Sequence, residues 1–147
     1  MTVLQGESLR KYNTLYRETD SLYHMVAVRS GLSDTAFWIL YAICEFGDGC
    51  LQRDICSALY VSKQTVHSAI CRMEDEGYLF LEAGRGRDKH IRLTKQGEKL
   101  IEEKIAPVIE KENDVFDQMG AGNQEMLRLM EEYVRLLTAA FDMQDNR

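Results

Sequence analysis

The chain lacks the sequence patterns that build disulfide frameworks, zinc ribbons or membrane spans. Among its 147 residues there are four cysteines, none in CxxC spacing, and no apolar run is long enough to cross a bilayer. The N-terminus also lacks the charged and apolar regions of a signal peptide. We therefore expect a cytoplasmic protein with no membrane partner, in which Cys44, Cys50, Cys56 and Cys71 are reduced thiols.

Catalytic and metal-binding motifs are missing as well. The sequence contains no phosphate loop, no HExxH and no GxSxG, and the GRGR run at 84–87 is no dinucleotide fingerprint. The three histidines, His24, His67 and His90, are scattered and have no cluster of further ligands near them in the sequence. These absences predict a protein that is not an enzyme and that carries no cofactor and no metal ion.

Positive charge is scarce overall but unevenly distributed. The net charge is −6 and the sequence pI is about 5.1, which is unusual for a protein that binds nucleic acid. Residues 62–93 nevertheless carry a net charge of +1, whereas residues 94–147 carry −5. Acidic residues outside a basic surface would repel DNA everywhere except at that surface. The charge pattern is therefore compatible with one DNA-binding segment.

Residues 50–94 carry the most informative pattern of the sequence. A short amphipathic helix is predicted before a break at Tyr60-Val61, and a second helix is predicted to begin at Ser62, whose hydroxyl suits an N-cap. The apolar face of the first helix consists of Leu51, Ile55, Ala58 and Leu59, and that of the second consists of Val66, Ala69, Ile70 and Met73. Helix, turn and helix in this order predict a helix-turn-helix.

The opposite face of the second helix is polar. It carries Ser62, Lys63, Gln64, Thr65, His67, Ser68 and Arg72. Short donors and acceptors near a helix N-terminus suit base edges in the major groove of DNA, and the positive end of the helix dipole suits phosphate. An ordinary solvated helix face is the alternative. Cys71 shares this face, so oxidant sensing by Cys71 or Cys50 stays open beside inert thiols.

A β-hairpin is predicted directly after this helix. Gly77 is placed where a left-handed cap would end the helix. Residues 78–82 and 89–93 are predicted as strands, and residues 83–88 as the turn that joins them. The whole segment therefore has the layout of a winged helix-turn-helix, in which the hairpin is the wing.

The tip of this wing is basic. We expect Gly84 and Gly86 to take positive φ in a tight turn, so that Arg85 and Arg87 project from it. Arginine suits a narrow, electronegative minor groove of DNA, and Lys89 follows on the returning strand. A hairpin that is basic only for solubility is the alternative.

Further helices flank this lobe. Apolar periodicity predicts helices at 8–29, at Asp34–Phe46, from Thr94 onward, and at about 123–143. The only proline of the chain, Pro107, is expected to kink or interrupt the helix that begins at Thr94. The predicted fold is mainly α with a small β-hairpin wing: a winged helix-turn-helix with six helices.

The outer helices predict a dimer. Their apolar stripes are wider than a winged lobe of some 60 residues can cover, so we assign residues 1–32 and 95–147 to dimerisation and residues 33–94 to DNA binding. Two copies would interleave these helices about a two-fold axis and read a pseudo-palindrome. A monomeric helical bundle is the alternative.

Residues 8–143 resemble the MarR family of transcriptional regulators. The resemblance is carried by Gly31-Leu32-Ser33, Leu40-Tyr41-Ala42-Ile43, Leu51-Gln52-Arg53-Asp54-Ile55-Cys56, Val61-Ser62-Lys63-Gln64-Thr65-Val66, Arg72-Met73-Glu74-Asp75-Glu76-Gly77-Tyr78-Leu79 and Arg92-Leu93-Thr94-Lys95-Gln96-Gly97. It implies a homodimer that regulates transcription, by repression or less often activation, and that responds to a small ligand, an oxidant or a metal.

The resemblance also implies roles for individual residues. Ser62, Lys63, Gln64, Thr65, His67 and Ser68 match positions that contact major-groove bases and phosphates. Arg87 matches an arginine that enters the minor groove. The sequence departs from the family at Arg85, where an aspartate is frequent, which leaves Asp88 as an alternative residue to orient Arg87.

The effector is the least determined part of the function. Family pockets lie where the dimer helices meet the winged lobe, so Tyr12, Tyr16, His24, Trp38 and Tyr41 are candidates for a pocket that takes a planar apolar or phenolic ligand. Aromatic residues of the core are the alternative. No cysteine precedes Cys44, which disfavours the peroxide-sensing mechanism of one branch of the family. A winged-helix module that binds protein instead of DNA is the alternative function.

Overall fold

The computed structural model describes residues 3–142. These residues form α1 (Glu7–Arg29), α2 (Asp34–Phe46), α3 (Gln52–Leu59), α4 (Lys63–Asp75), β1 (Leu79–Ala83), β2 (Lys89–Leu93), α5 (Lys95–Lys104), α6 (Ala106–Met119) and α7 (Ala121–Ala140). The chain forms two compact units, divided between Ile105 and Ala106. No helix within the described residues is both long enough and apolar enough to cross a membrane.

The core of the first unit is built around α2, whose apolar residues cover most of its circumference. Its fully buried side chains are Phe37, Ile39, Leu40 and Ile43. The core is completed by Ile55 of α3, by Val66, Ile70 and Met73 of α4, by Leu79 and Ile91 of the wing, and by Ile105. Burial of a side chain of this size contributes about 1.5–3 kcal/mol, so this cluster is the main source of stability for the unit.

The helix-turn-helix forms where the sequence predicts it. The helix α3 ends at Leu59, its C-cap Tyr60 has a φ of 51° in the left-handed region, and α4 begins after Ser62. The Ser62 hydroxyl oxygen accepts a hydrogen bond of 3.1 Å from the backbone N–H of Thr65, which confirms the predicted N-cap. A left-handed residue other than glycine costs about 1–3 kcal/mol, which the packing on both sides of the turn must offset.

The end of α4 confirms the role predicted for Gly77. The φ of Gly77 is +79°, its N–H donates to the carbonyl of Glu74, and the N–H of Tyr78 donates to the carbonyl of Met73, each over 2.9 Å. This pair of bonds is a Schellman motif, which satisfies carbonyl groups that the helix end leaves free. It also directs the chain into the wing.

The wing is an antiparallel hairpin in which Leu79 pairs with Leu93 and Ala83 pairs with Lys89. Gly86 has a φ of +60°, as predicted, but the φ of Gly84 lies outside the left-handed region, so that prediction was wrong. Glycine is needed at Gly84 for space, because a Cβ there would lie 2.8 Å from Nε2 of His90.

The base of the wing is tied to the loop between α2 and α3. The N–H of Gly49 donates to the carbonyl of Ile91, and the N–H of Ile91 donates to the carbonyl of Cys50, over 2.8 and 2.9 Å. Nδ1 of His90 donates to the carbonyl of Gly49 over 2.8 Å. The Asp48 carboxylate accepts from the backbone N–H of Leu93 over 2.8 Å. These bonds cross more than 40 residues of sequence and fix the wing against the lobe.

The helix predicted to begin at Thr94 is interrupted, as Pro107 led us to expect. The Thr94 hydroxyl caps α5 by accepting from the N–H of Gly97, and it donates to the carbonyl of Gly77. The helical pattern stops at Ile105, and α6 begins one residue before Pro107. A proline is tolerated in the first turn of a helix but not in its interior, which explains why the interruption precedes it.

The second unit consists of α6 and α7, which are joined at Gly120, where φ is +54°. The last helix begins at Ala121, two residues before the predicted start, and the predicted end at Met143 lies outside the described residues. Many large apolar side chains of this unit are exposed: Val115, Phe116, Met119, Met126, Leu127, Leu129, Met130, Val134 and Leu136. The unit therefore presents wide apolar surfaces on both helices.

The four cysteines differ in their surroundings. Cys50 and Cys56 are buried, Cys71 is half-buried, and Cys44 is exposed. Cys44 lies in the last turn of α2, one residue after the buried Ile43. Burial, followed by the charges of Asp54 and Asp48, raises the pKa of the Cys50 thiol and so opposes formation of a reactive thiolate.

Gly97 gives a test of this packing. It is buried in the first turn of α5, where a Cβ would collide with the backbone carbonyl oxygen of Tyr78. Gly97→Ala should therefore lower the free energy of unfolding by about 1–3 kcal/mol, as overpacked sites do, despite the better helix propensity of alanine. Urea unfolding followed by circular dichroism measures the change.

Gly122→Ala is the matched control, because Gly122 lies in the first turn of α7 and nothing is within 4 Å of a Cβ placed there. This variant should be neutral or more stable by about 0.5–1 kcal/mol. Equal stability changes in the two variants would contradict the described fit of α5 against Tyr78.

Candidate nucleic-acid interface

The rotation of α4 separates a buried face from a polar one. Val66, Ile70 and Met73 are at most 2% exposed. All seven residues predicted for the polar face are exposed: Ser62, Lys63, Gln64, Thr65, His67, Ser68 and Arg72. The hydroxyls of Ser62 and Thr65 lie 2.8 Å apart, so the N-cap also holds the Thr65 side chain. Within the part of the chain that the structure describes, no side-chain hydrogen bond holds the Gln64 amide.

His67 and Cys71 are neighbours on this helix. Sγ of Cys71 lies 3.5 Å from Nε2 of His67, as residues four positions apart on a helix can. Across residues 3–142 no group of three or more histidine, cysteine, aspartate or glutamate side chains could hold a metal ion.

The arginines at the wing tip are exposed. No ion pair engages Arg85 or Arg87 within the described residues. Asp88 contacts Arg53 of α3, with the guanidinium Nη1 3.2 Å from the carboxylate, so Asp88 does not fill the alternative role of orienting Arg87. The pair joins the turn of the wing to the first turn of α3.

Arg92 has a different role from the other cations of the wing. Its Nε donates to the Glu82 carboxylate across the hairpin over 2.8 Å, and its Nη1 lies 3.7 Å from Asp48. The hydrogen bond with Glu82, more than any other contact, raises the pKa of Arg92. Its charge is thus balanced at the base of the wing.

A basic cleft joins α3, α4 and the wing. It has a volume of about 270 Å³. Its lining residues are Leu51, Gln52, Arg53, Cys56, Lys63, Arg87, Asp88 and Lys89. Four cationic side chains and one carboxylate therefore meet in one concave surface, where their fields add and favour an anion.

The cleft brings together three of the residues predicted for DNA binding, namely Lys63, Arg87 and Lys89. The others, among them Ser68, Arg72 and Arg85, are exposed but do not line it. Arg53 was not predicted as a site residue; it lies in the first turn of α3, and its side chain is 65% exposed. The available signal was its position, because the first helix of a helix-turn-helix crosses the DNA backbone.

A second, separate cavity lies between α2 and the end of α3. It has a volume of about 440 Å³. Its lining residues are Asp34, Thr35, Trp38, Tyr41, Ala42, Glu45, Ala58, Leu59 and Val61. Of the five residues predicted for an effector pocket, Trp38 and Tyr41 therefore line one cavity, with their ring centroids 5.4 Å apart.

The other three candidates do not line this cavity. Nδ1 of His24 lies 3.0 Å from the carboxylate of Asp34, which does line it. Tyr12 and Tyr16 lie together on α1, with ring centroids 6.4 Å apart, and Tyr16 is 63% exposed.

Comparisons with known proteins agree with this architecture. A family model described as the MarR family matches residues 30–88, which run from the end of α1 to the turn of the wing. No curated protein sequence matches the chain.

Several solved structures share the fold. A MarR transcriptional regulator from Methanosarcina mazei Go1 has a TM-score of 0.66 at 22% identity, covering 94% of each chain. MepR of S. aureus, solved in complex with DNA, has a TM-score of 0.70 at 20% identity, over 90% of this chain and 99% of that one. NadR in complex with 4-hydroxyphenylacetate has a TM-score of 0.68 at 20% identity, over 92% of this chain and 96% of that one.

At these identities the structures establish the fold, and the family model matches the segment that contains the helix-turn-helix. Together they show that the chain has the winged helix-turn-helix fold of these structures and that residues 30–88 match the MarR family model.

Proposed function

We propose that the chain is a sequence-specific DNA-binding repressor that acts as a homodimer on a pseudo-palindromic operator and is modulated by a small-molecule effector. The observation that carries the proposal is the basic cleft, which joins the first residue of α4 to the tip of the wing. A phosphate backbone that passes this cleft would leave the exposed polar face of α4 directed into a major groove.

Base recognition is assigned to the polar face of α4. Gln64 can pair in bidentate fashion with adenine, and Thr65, His67 and Ser68 can contact neighbouring base edges or phosphates. Ser62 and Lys63, at the positive end of the helix dipole, are assigned to phosphate. The complex of MepR with DNA supports this use of the fold, since that protein has the same architecture.

The remaining cations position the protein on the duplex. Arg85 and Arg87 are assigned to the minor groove next to the wing, and Arg72 and Lys89 to phosphates. The ion pair between Arg53 and Asp88 restrains the turn of the wing before DNA binds. Less conformational entropy is then lost on binding.

The dimer is proposed from the uncovered apolar surfaces. Besides those of α6 and α7, α1 exposes Leu9, Leu15, Tyr16, Leu22, Met25 and Val28. Exposed apolar patches of this extent mark interaction surfaces, and a second copy of the chain supplies the same surfaces about a two-fold axis. Two α4 helices one DNA turn apart would then read two half-sites.

The effector is assigned to the cavity that Trp38 and Tyr41 line. Its volume is that of a site for a small organic molecule. The complex of NadR with 4-hydroxyphenylacetate shows that a protein of this fold can hold a small aromatic ligand. An effector bound here would change DNA affinity only if it bound one arrangement of the lobes more tightly than the other. The size of the change is set by the difference between its affinity for the DNA-binding arrangement and its affinity for the other arrangement.

Arg87→Ala tests the wing. The variant should bind every duplex more weakly, and the negative slope of log affinity against log salt should become shallower by about 1 for each protomer, since a cation that neutralises phosphate charge from the minor groove is lost. Fluorescence anisotropy at several salt concentrations measures both. Arg17→Ala, which removes an exposed arginine from α1, is the control and should change neither. An unchanged slope in Arg87→Ala would refute a wing contact with DNA.

Gln64→Ala tests base readout by α4. It should reduce discrimination at one or two base pairs of each half-site by about 1–3 kcal/mol while binding to unrelated duplexes changes little. Selection from a randomised operator, followed by titration of single-base variants, measures this. Gln124→Ala, at an exposed glutamine of α7, should preserve the preferred sequence. A loss that is equal on all sequences would make Gln64 a backbone contact.

A further inference from the structure

The cavity beside α2 has acidic ends and an aromatic middle, and we propose that it binds an aromatic cation. Four of its lining residues, Asp34, Trp38, Tyr41 and Glu45, follow one another at spacings of four, three and four along α2. Residues at these spacings lie on one face of a helix. At a rise of 1.5 Å per residue, the two carboxylate-bearing positions are about 16 Å apart along the axis, with both rings between them.

The charges around the cavity are of one sign. No lysine or arginine is among its lining residues, whereas Asp34 and Glu45 are both carboxylates. The last two residues of α3, Ala58 and Leu59, also line it, so the partially negative C-terminal end of that helix lies at the cavity wall. An anionic ligand would meet repulsion from each of these groups, and a cation would be attracted by each.

The two carboxylates are not equivalent. The Asp34 carboxylate lies 3.0 Å from Nδ1 of His24 and is therefore already engaged by a neighbouring side chain. Glu45 is exposed and has no ion pair among the residues the structure describes. Glu45 is therefore the carboxylate whose charge is most available to a ligand.

The rings supply the second part of the recognition. Trp38 contacts Tyr41 in an edge arrangement and Tyr23 at 5.0 Å, so it is held in place from two sides. A cation that lies over the face of tryptophan or tyrosine gains a further attraction, greatest where the site excludes water. Bulky organic cations with aromatic groups satisfy the rings and the carboxylates together, and a volume of about 440 Å³ accommodates one.

This inference rests on the proposed function only for its regulatory consequence, because binding can be measured without DNA. Trp38 is the single tryptophan of the chain, so its fluorescence reports directly on this cavity. Tetraphenylphosphonium and tetraphenylborate make a matched pair of probes, since they share shape and size and differ in the sign of their charge.

The full chain should bind tetraphenylphosphonium saturably, with a change in Trp38 fluorescence and an affinity at least about tenfold higher than for tetraphenylborate. Glu45→Gln should weaken phosphonium binding by about threefold to fivefold, which is the range for a partly exposed charge contact. The same variant should leave tetraphenylborate binding unchanged or slightly stronger.

Glu102→Gln is the control, because it removes one exposed carboxylate from α5 and so changes the net charge equally. It should leave phosphonium binding unchanged. If Glu45→Gln and Glu102→Gln weakened phosphonium binding equally, the attraction would come from the overall charge of the protein, and the proposal would be overturned. Borate binding as tight as phosphonium binding, or no saturable change in Trp38 fluorescence, would overturn it too.

Operator titrations with and without phosphonium then separate the two proposals. A protein that binds the cation and whose DNA affinity changes supports both. A protein that binds the cation without any change in DNA affinity keeps the cation site and loses the effector role. A protein that binds DNA but gives no response of Trp38 loses the cation site alone.

Discussion

The burial of one face of α4 is the constraint on which the rest of the proposed DNA-binding surface depends. Val66, Ile70 and Met73 are packed among α2, α3 and β1, and their burial contributes roughly 5–9 kcal/mol as an upper bound. A rotation of α4 by one residue, about 100°, would expose these side chains and bury polar ones. The core therefore determines which residues of α4 face solvent, and Gln64, Thr65 and Ser68 follow from it.

The same core positions the wing. Leu79 and Ile91 anchor the two strands, and the Schellman motif at Gly77 sets the direction in which the chain leaves α4. Hydrogen bonds from residues 48–50 then hold the base of the hairpin, while Arg53 holds its turn. Because α4 and the wing pack against the same core, Lys63 and Arg87 line the same cleft although 24 positions separate them in the sequence.

Local chemistry explains what the sequence could predict. The cap at Ser62, the left-handed Gly77 and the interruption before Pro107 each depend on a few neighbouring residues, and each was predicted correctly. The exposed polar face of α4 follows from the helical period alone. The segment from the end of α1 to the turn of the wing is also the part of the chain that the MarR family model matches.

What the sequence could not predict depends on distant residues. Gly84 is required because of the position of His90 on the opposite strand, whereas the sequence of the turn predicted a positive φ at Gly84. The pair of Arg53 and Asp88 spans 35 positions and is visible only once α3 lies beside the wing. The acidic cavity likewise forms only where α2 meets the end of α3, although both of its carboxylates lie on α2. Composition gave no sign of it, since acidic residues occur throughout the chain.

A titration of the DNA upstream of the gene for this chain, followed by fluorescence anisotropy with excess competitor DNA, would decide whether α4 and the wing form one specific DNA-binding surface on each half of a dimer. We expect competitor-resistant binding of two chains per site, with an affinity that falls steeply as salt rises. Absence of binding at low salt, or binding that competitor DNA abolishes, would contradict this expectation and favour a winged-helix module that contacts protein.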